Sequence, residues 1–232
     1  MVNIAGIHVE DVRFPTSKDL TGSDAIHTDP DYSATYVTIN TSEPKLKGFG
    51  IAFTIGKGND IVAECIRNYI PIFDGLSIKE VEKNIGKLWF DCVDHSQLRW
   101  LGHEKGVVHM AVAALFNALW DLISKKNKKP LWKFVVESNP ETIMNWLTFK
   151  YIEDVMSKDD AYKILTENKK YKKERTDIIL KEGYPSYTTA AGWLGYSNEK
   201  IIDLCKQYMA KGWKHFKIKV GLNLEQDVKR LE

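Results

Sequence analysis

The chain has 232 residues, 44% hydrophobic and 28% charged, with a formal net charge of +2. That balance is globular, suits one large or two modest domains, and provides no global field to draw nucleic acid. No apolar run approaches the ~20 residues of a membrane span, and the start MVNIAGIHVEDVRF has no basic-then-apolar leader pattern. Cys65, Cys92 and Cys205 lie far apart, which fits reduced thiols better than a disulfide framework or a zinc site. The expected location is cytoplasmic, with no transit peptide visible and a mitochondrial location left open.

Residues 3–14 alternate loosely and read as a strand ending at Pro15. The stretch TSKDLTGSDAIHTDPD (16–31) is polar and rich in turn formers, so it reads as a loop. YSATYVTINT (32–41) and KGFGIAFTIG (47–56) have strand composition around a turn at Pro44, giving a small three-stranded antiparallel sheet. The pattern then turns helical. NDIVAECIRNYIPIF (59–73) opens on Asn59 or Asp60 as N-cap and is disturbed at Pro71, and SIKEVEKNIGKLWFDCV (77–93) opens on a cap serine. GVVHMAVAALFNALWDLISKK (106–126) carries two apolar stripes, one through Ala111, Ala118 and Leu122, the other through Val108, Val112, Phe116 and Leu119. A helix apolar on two faces belongs at the centre of its domain.

After about residue 145 the rhythm changes. A charged helical stretch (159–183) leads to a short strand, YTTAAGWLG (187–195). A helix over 197–212 follows, with Ser197 as cap and no capping box, and then the strand WKHFKIKVG. Strand, helix, strand is a βαβ unit and implies parallel pairing. The basic run KKYKKER (169–175) lies close to Glu167 and Asp177 and reads as a solvated helix face, not an RNA contact.

In HFKIKVG (215–221), Phe216, Ile218 and Val220 point one way and His215, Lys217 and Lys219 the other. Taken alone, this is an edge strand with a solvated face. The βαβ context favours a covered strand, and in a barrel the inward face at a strand's C-terminal end is where catalytic groups sit. Two ammonium groups held close lower each other's pKa, and a lysine so tuned accepts a proton near neutral pH. Of the histidines, His109 lies in the apolar helix and reads as a hydrogen-bonded core residue. His27, His103 and His215 have no second ligand at workable spacing.

TGSDAIHTDPDYSATYV, LRWLGHEKGVVHMAVAALFNALWDL, EGYPSYTTAAGWLGYS and FKIKVG, taken in order, resemble the L-fuconate dehydratases of the enolase superfamily, in its mandelate racemase–muconate lactonizing enzyme group. The resemblance runs over essentially the whole chain. It implies an α+β capping domain over residues 1–145 and, over 146–232, the first βα units of an incomplete TIM-type barrel. It further implies an acid-sugar substrate whose carboxylate sits on magnesium, a base that takes the α proton, and loss of a β hydroxyl. Carried onto this sequence, Lys219 is the acid/base. Lys217 contacts the substrate carboxylate, and Gly22, Ser23, Asp24 and Tyr32 form the substrate loop. Without the resemblance, residues 22–24 would read as turn chemistry and Tyr32 as a half-buried strand aromatic.

The residues after 145 are too few for the ~250 of a TIM barrel and carry two of its strands at most. The family's magnesium ligands and its second acid/base, a histidine, fall on later strands, so no metal site is expected within this chain, and it is expected to be inactive alone. The acids after Gly221 are Glu225, Asp227 and Glu232. Expected partners are an acid sugar and either further copies or full-length subunits, with no nucleic acid and no membrane. Two alternatives stand beside this reading. One is a dehydratase of another acid sugar, and the other is a non-catalytic short form that modulates full-length subunits.

Overall fold

The computed structural model describes residues 1–102 and 105–232, so His103, one of the histidines weighed as a ligand, lies outside the described residues. Three strands, β1 (Ile4–Val12), β2 (Ser33–Thr41) and β3 (Lys47–Thr54), form one antiparallel sheet in the order β1-β2-β3. Val9 faces Val37 and Ile7 faces Ile39, with an irregularity between Ile4 and Gly6. Helices α1 (Asn59–Phe73), α2 (Ile78–Val93) and α3 (Gly106–Lys126) follow, then the short α4 (Leu131–Glu137) and α5 (Pro140–Met144). The charged stretch expected as one helix is two, α6 (Lys158–Asn168) and α7 (Lys172–Glu182), separated by a 3-10 turn at Lys169–Tyr171. The chain ends with α8 (Asn198–Ala210) and α9 (Leu224–Leu231).

The chain folds as two units. The first comprises Met1–Val12, Ala34–Phe53 and Gly58–Leu180, and the second Arg13–Ser33, Thr54–Lys57 and Lys181–Glu232.

The first unit is built around α3. Both of its stripes are buried, from Val108 to Ile123, in one cluster with Ile66, Tyr69 and Phe73 of α1, Val81 and Ile85 of α2, and Val37 and Ile39 of β2. By length and composition α3 could cross a bilayer, which corrects the expectation that no apolar run reaches that length. Here its apolar surface is spent on protein neighbours instead. His109 corrects a second expectation. It packs edge-on against Trp89, 5.2 Å between ring centres, and its buried Nδ1 has no hydrogen-bond partner among the described residues.

Strand β3 meets α3 through its small residues. Gly48, Gly50 and Ala52 face inward, whereas Phe49, Ile51 and Phe53 are 53%, 44% and 50% exposed. A Cβ on Gly50 would lie 2.1 Å from the Ala114 carbonyl oxygen and 2.6 Å from the Ala118 nitrogen. The sheet therefore approaches the helix at backbone distance, and large residues on this strand can only point away.

Asn59 is the first residue of α1 and not its cap, because Gly58 precedes the helix with φ +83°. The buried Asn59 amide donates to the Asp11 carboxylate and to the Ala34 carbonyl (3.2 Å), and accepts from the Thr35 hydroxyl (3.1 Å). Its side chain is committed to the strands and is not available to its own helix. The helix continues through Pro71 to Phe73. Ser77 caps α2 with a full capping box: its hydroxyl accepts from the Glu80 N–H while Glu80 accepts from the Ser77 N–H. Burial pushes the Cys65 thiol up and the Cys92 thiol up to about 12, so both are small core hydrophobes.

In the second unit, the two expected strands are extended segments joined by one parallel bridge, Thr188 to Phe216, and not a regular ladder. The Thr188 N–H donates to the His215 carbonyl (3.0 Å) and the Lys217 N–H to the Thr188 carbonyl (2.9 Å). A turn closed by the Gly192 N–H on the Thr189 carbonyl then takes the first segment out of register. Contact resumes where the Lys219 N–H donates to the Gly192 carbonyl (2.8 Å).

The close approach of β3 to α3 carries a test. Gly50→Ala forces backbone apart from backbone and is expected to cost about 2–3 kcal/mol in chemical denaturation, while Ile51→Ala costs less than about 1 kcal/mol despite removing more atoms. The reverse order would contradict the inward face described here.

Candidate functional site

The loop of residues 16–31 lies in the second unit with the 187–196 and 215–221 segments. Its opening 3-10 turn, Thr16–Asp19, is fixed from within the loop. The Thr16 hydroxyl donates to the Pro30 carbonyl (2.8 Å) and accepts the Tyr32 N–H (2.8 Å), and the Ser17 N–H donates to the Asp31 carboxylate (3.1 Å). Hydrogen bonding from the Ser17 side chain first, and from this N–H second, holds the Asp31 carboxyl below the usual range.

Ser23 anchors the loop. It is 1% exposed, donates its hydroxyl proton to the Leu20 carbonyl (2.7 Å) and accepts the Gly195 N–H (2.9 Å). Its own carbonyl accepts the Leu194 N–H (3.2 Å), and Thr21 and Tyr196 share a hydroxyl–hydroxyl bond of 2.7 Å. Gly195 allows this approach, since a Cβ there would sit 2.6 Å from Leu20 Cβ.

Gly22 holds φ +92°, and a Cβ on it would fall 2.4 Å from the Tyr32 ring. The Tyr32 hydroxyl donates to the Gly22 carbonyl (3.1 Å), and its ring stands edge-on to Trp193 at 5.8 Å. Burial first, and the Asp24 charge second, raise the Tyr32 hydroxyl pKa, so it stays protonated.

Asp24 is the loop's charged centre. Its Oδ1 accepts the N–H groups of His27 (2.8 Å) and Ile26 (3.0 Å) and lies 3.3 Å from His27 Nδ1. Those backbone bonds lower its pKa to about 2. Its Oδ2 is 3.8 Å from Lys219 Nζ, with the two side chains 28% and 24% exposed. Lys219 Nζ also stands 5.9 Å from the centre of the Trp193 ring. Lys217 is exposed, with its Nζ 5.9 Å from the Tyr187 ring centre.

The loop residues and Lys219 are thus brought together, with Lys217 on the same extended segment. Ser23 is buried, as Gly22 is, and its hydroxyl is committed to the backbone. Trp193, Gly195 and Tyr196 were not singled out from sequence, although two glycines and two large aromatics within AGWLGY (191–196) exceed what a plain short strand needs.

Among the described residues no three of His, Cys, Asp and Glu could hold a metal ion. Asp24 already spends Oδ1 on its own loop. The Asp227 carboxylate accepts the Gly221 N–H (2.8 Å), and Glu225 pairs with Lys229 (2.8 Å). These residues do not fit a magnesium site, which needs several oxygens fixed in octahedral geometry.

No family model matches the chain. Mitochondrial enolase superfamily member 1 of Xenopus laevis is 44% identical over 230 residues, covering 99% of this chain and 52% of that protein. L-galactonate dehydratase of Hypocrea jecorina is 42% identical over 231 residues, covering 99% and 51%. The crystal structure of human mitochondrial enolase superfamily member 1 superimposes with a TM-score of 0.92 at 44% identity, over 98% of this chain and 52% of that one. The fold alone is shared, with a TM-score of 0.66 at 14% identity over 99% and 47%, with the L-talarate/galactarate dehydratase from Salmonella typhimurium LT2 liganded with Mg and L-lyxarohydroxamate. The sheet and helices of the first unit are the α+β arrangement expected of a capping domain. The chain belongs to the enolase superfamily, and it spans about half the length of the curated relatives it matches.

Proposed function

We propose that this chain supplies the substrate loop and the acid/base lysine of an acid-sugar dehydratase of L-fuconate type. In this reading residues 1–145 act as the capping domain and residues 146–232 begin the barrel. The observation that carries it is the Asp24–Lys219 contact, 3.8 Å, inside a loop whose backbone is tied down on both sides. Lys219 removes the proton α to the substrate carboxylate. Lys217, exposed on the same segment, receives that carboxylate; the β hydroxyl takes up a proton and leaves as water, and the enol that remains tautomerises to a 2-keto-3-deoxy acid. Gly22, Asp24 and Tyr32 meet the sugar hydroxyls, with Asp24 as an obligate acceptor. Ser23 acts by holding the loop. The relative named for L-galactonate supports the acid-sugar class, and the choice of L-fuconate rests on the loop's resemblance.

Proton abstraction next to a carboxylate concentrates negative charge on the substrate, and that charge needs preorganised positive partners. Lys217 offers one, whereas Asp24 offers the wrong sign. We therefore expect the 232-residue chain to bind but not to turn over, with the remaining charge supplied by residues outside it. A second reading, a non-catalytic form that pairs with full-length subunits, has the exposed Phe49, Ile51 and Phe53 in its favour. Co-purification with a full-length subunit, lost on Phe49→Ser, would support it.

The functional test is turnover of L-fuconate with added magnesium, by this chain and by the longest product of its gene. The expected result is none for the first, and for the second an activity reduced at least about a thousandfold by Lys219→Ala. Turnover by the short chain that Lys219→Ala abolishes would contradict its inactivity, and a long form indifferent to that change would contradict the base.

Asp24 gives a pH test. A carboxylate whose folded pKa lies below its unfolded one stabilises the fold above the unfolded value, and that contribution is lost as pH falls through the folded one. The Ile26 amide resonance is expected to report Asp24 with a titration midpoint at about 2. A midpoint near the ordinary ~4 would show that the loop does not hold the carboxylate as described.

A further inference from the structure

Within the first unit, a cleft of about 360 Å³ opens between α4 and α5 on one side and α6 and α7 on the other. That volume is of small-molecule size. Its floor is formed by Trp132, Val136, Ile143, Leu165 and Ile179. Trp132 and Val136 remain 41% and 42% exposed, so apolar surface is left facing water. The rim carries Lys169, Lys172 and Arg175.

These cations are not neutralised by the acids around them. Glu137 is taken by Lys129 (2.6 Å) and, more loosely, by Lys133 (3.9 Å). Glu141 accepts the Tyr162 hydroxyl (2.6 Å). Lys172 and Lys169 contribute only at longer range to holding those two carboxyls below their usual values, behind the hydrogen bonds from Lys129 and Tyr162. Arg175 donates to the Asn168 amide oxygen (3.2 Å), a neutral partner. Among the described residues neither Lys169 nor Lys172 has a carboxylate within ion-pair distance. An apolar floor with unpaired positive charge at its mouth is the complement of an apolar body carrying an anionic head.

We propose that this cleft binds a small amphiphilic anion, its apolar body against Trp132, Ile143 and Leu165 and its carboxylate or phosphate head on Lys172 and Arg175. The guanidinium fork suits a two-oxygen head, and Lys172 adds a mobile point charge. The cleft shares no residue with the dehydratase site, so the inference stands apart from that reading.

The test is calorimetric titration of the 232-residue chain with decanoate, decyl phosphate, 1-decanol and inorganic phosphate, with the methyl resonances of Ile143, Leu165 and Ile179 as locators. The expected result is one saturable site for decanoate or decyl phosphate with Kd below about 1 mM and shifts at those three methyls. Decanol and inorganic phosphate should each bind at least about tenfold more weakly. The better of the two anions identifies the head. The double change Lys172→Gln with Arg175→Gln should weaken the anion at least about tenfold and leave decanol unaltered. Four outcomes would each overturn the proposal: no saturable binding, equal affinity for decanol and decanoate, binding only to anionic phospholipid vesicles and not to the monomeric amphiphile, or self-association through the cleft that decanoate does not reverse.

Discussion

Ser23 uses both sides of its hydroxyl, donating a hydrogen bond to the Leu20 carbonyl and accepting one from the Gly195 N–H, and the candidate site depends on that pair of bonds. With Ser23 buried, the loop backbone is fixed against residues 187–196, while Gly22 packs under the Tyr32 ring and Asp24 stays partly exposed. Gly22, at φ +92°, leaves the Tyr32 ring the space that a Cβ would take, and Asp24 closes its turn on the amides of Ile26 and His27. The second carboxylate oxygen lies between the His27 ring (3.5 Å) and Lys219 (3.8 Å). Disturbing Ser23 would move every group that the proposed substrate must meet, although Ser23 itself has little left to offer a ligand.

The same economy governs the first unit. Helix α3 gives water only a narrow strip through Asn117, Asp121 and Lys125, so the rest of it must be surrounded, and the sheet does so by bringing glycines to its backbone. The large residues of β3 are displaced outward as a geometric consequence. An exposed Phe49 or Phe53 is therefore a poor guide, taken singly, to whether that face has a partner.

The positions of α1, α2, α3 and α8, the double stripe of α3 and the caps at Ser77 and Ser197 were legible in the sequence because they rest on local spacing and local hydrogen bonds, whereas α4, α5 and the break between α6 and α7 were not. Asn59 misled because its side chain answers to two strands instead of its own helix. The inward face of β3 was not legible, since alternation gives two faces and only the shape of α3 chooses between them. The residues of the candidate site were legible through resemblance, but their pairing was not. Asp24 and Lys219 are far apart in the chain, and nothing in SDAIH announces an ion pair with FKIKVG. The segments around Lys219 also lacked a signal for their single bridge, because extended composition does not say how many partners a strand will find.

The charges in the site divide the labour. Lys219 is half-buried beside an anion and an aromatic face, held in place, whereas Lys217 is exposed and free to meet an incoming carboxylate. Binding should therefore precede, and be separable from, any chemistry. The direct measurement is titration of the isotopically labelled 232-residue chain with L-fuconate, following every amide. Saturable shifts at Gly22, Asp24, Lys217 and Lys219, lost on Lys217→Ala while the fold is kept, are the predicted result. An acid sugar that leaves those resonances unmoved, or moves others in their place, would contradict the assignment of this loop and these lysines as a substrate site.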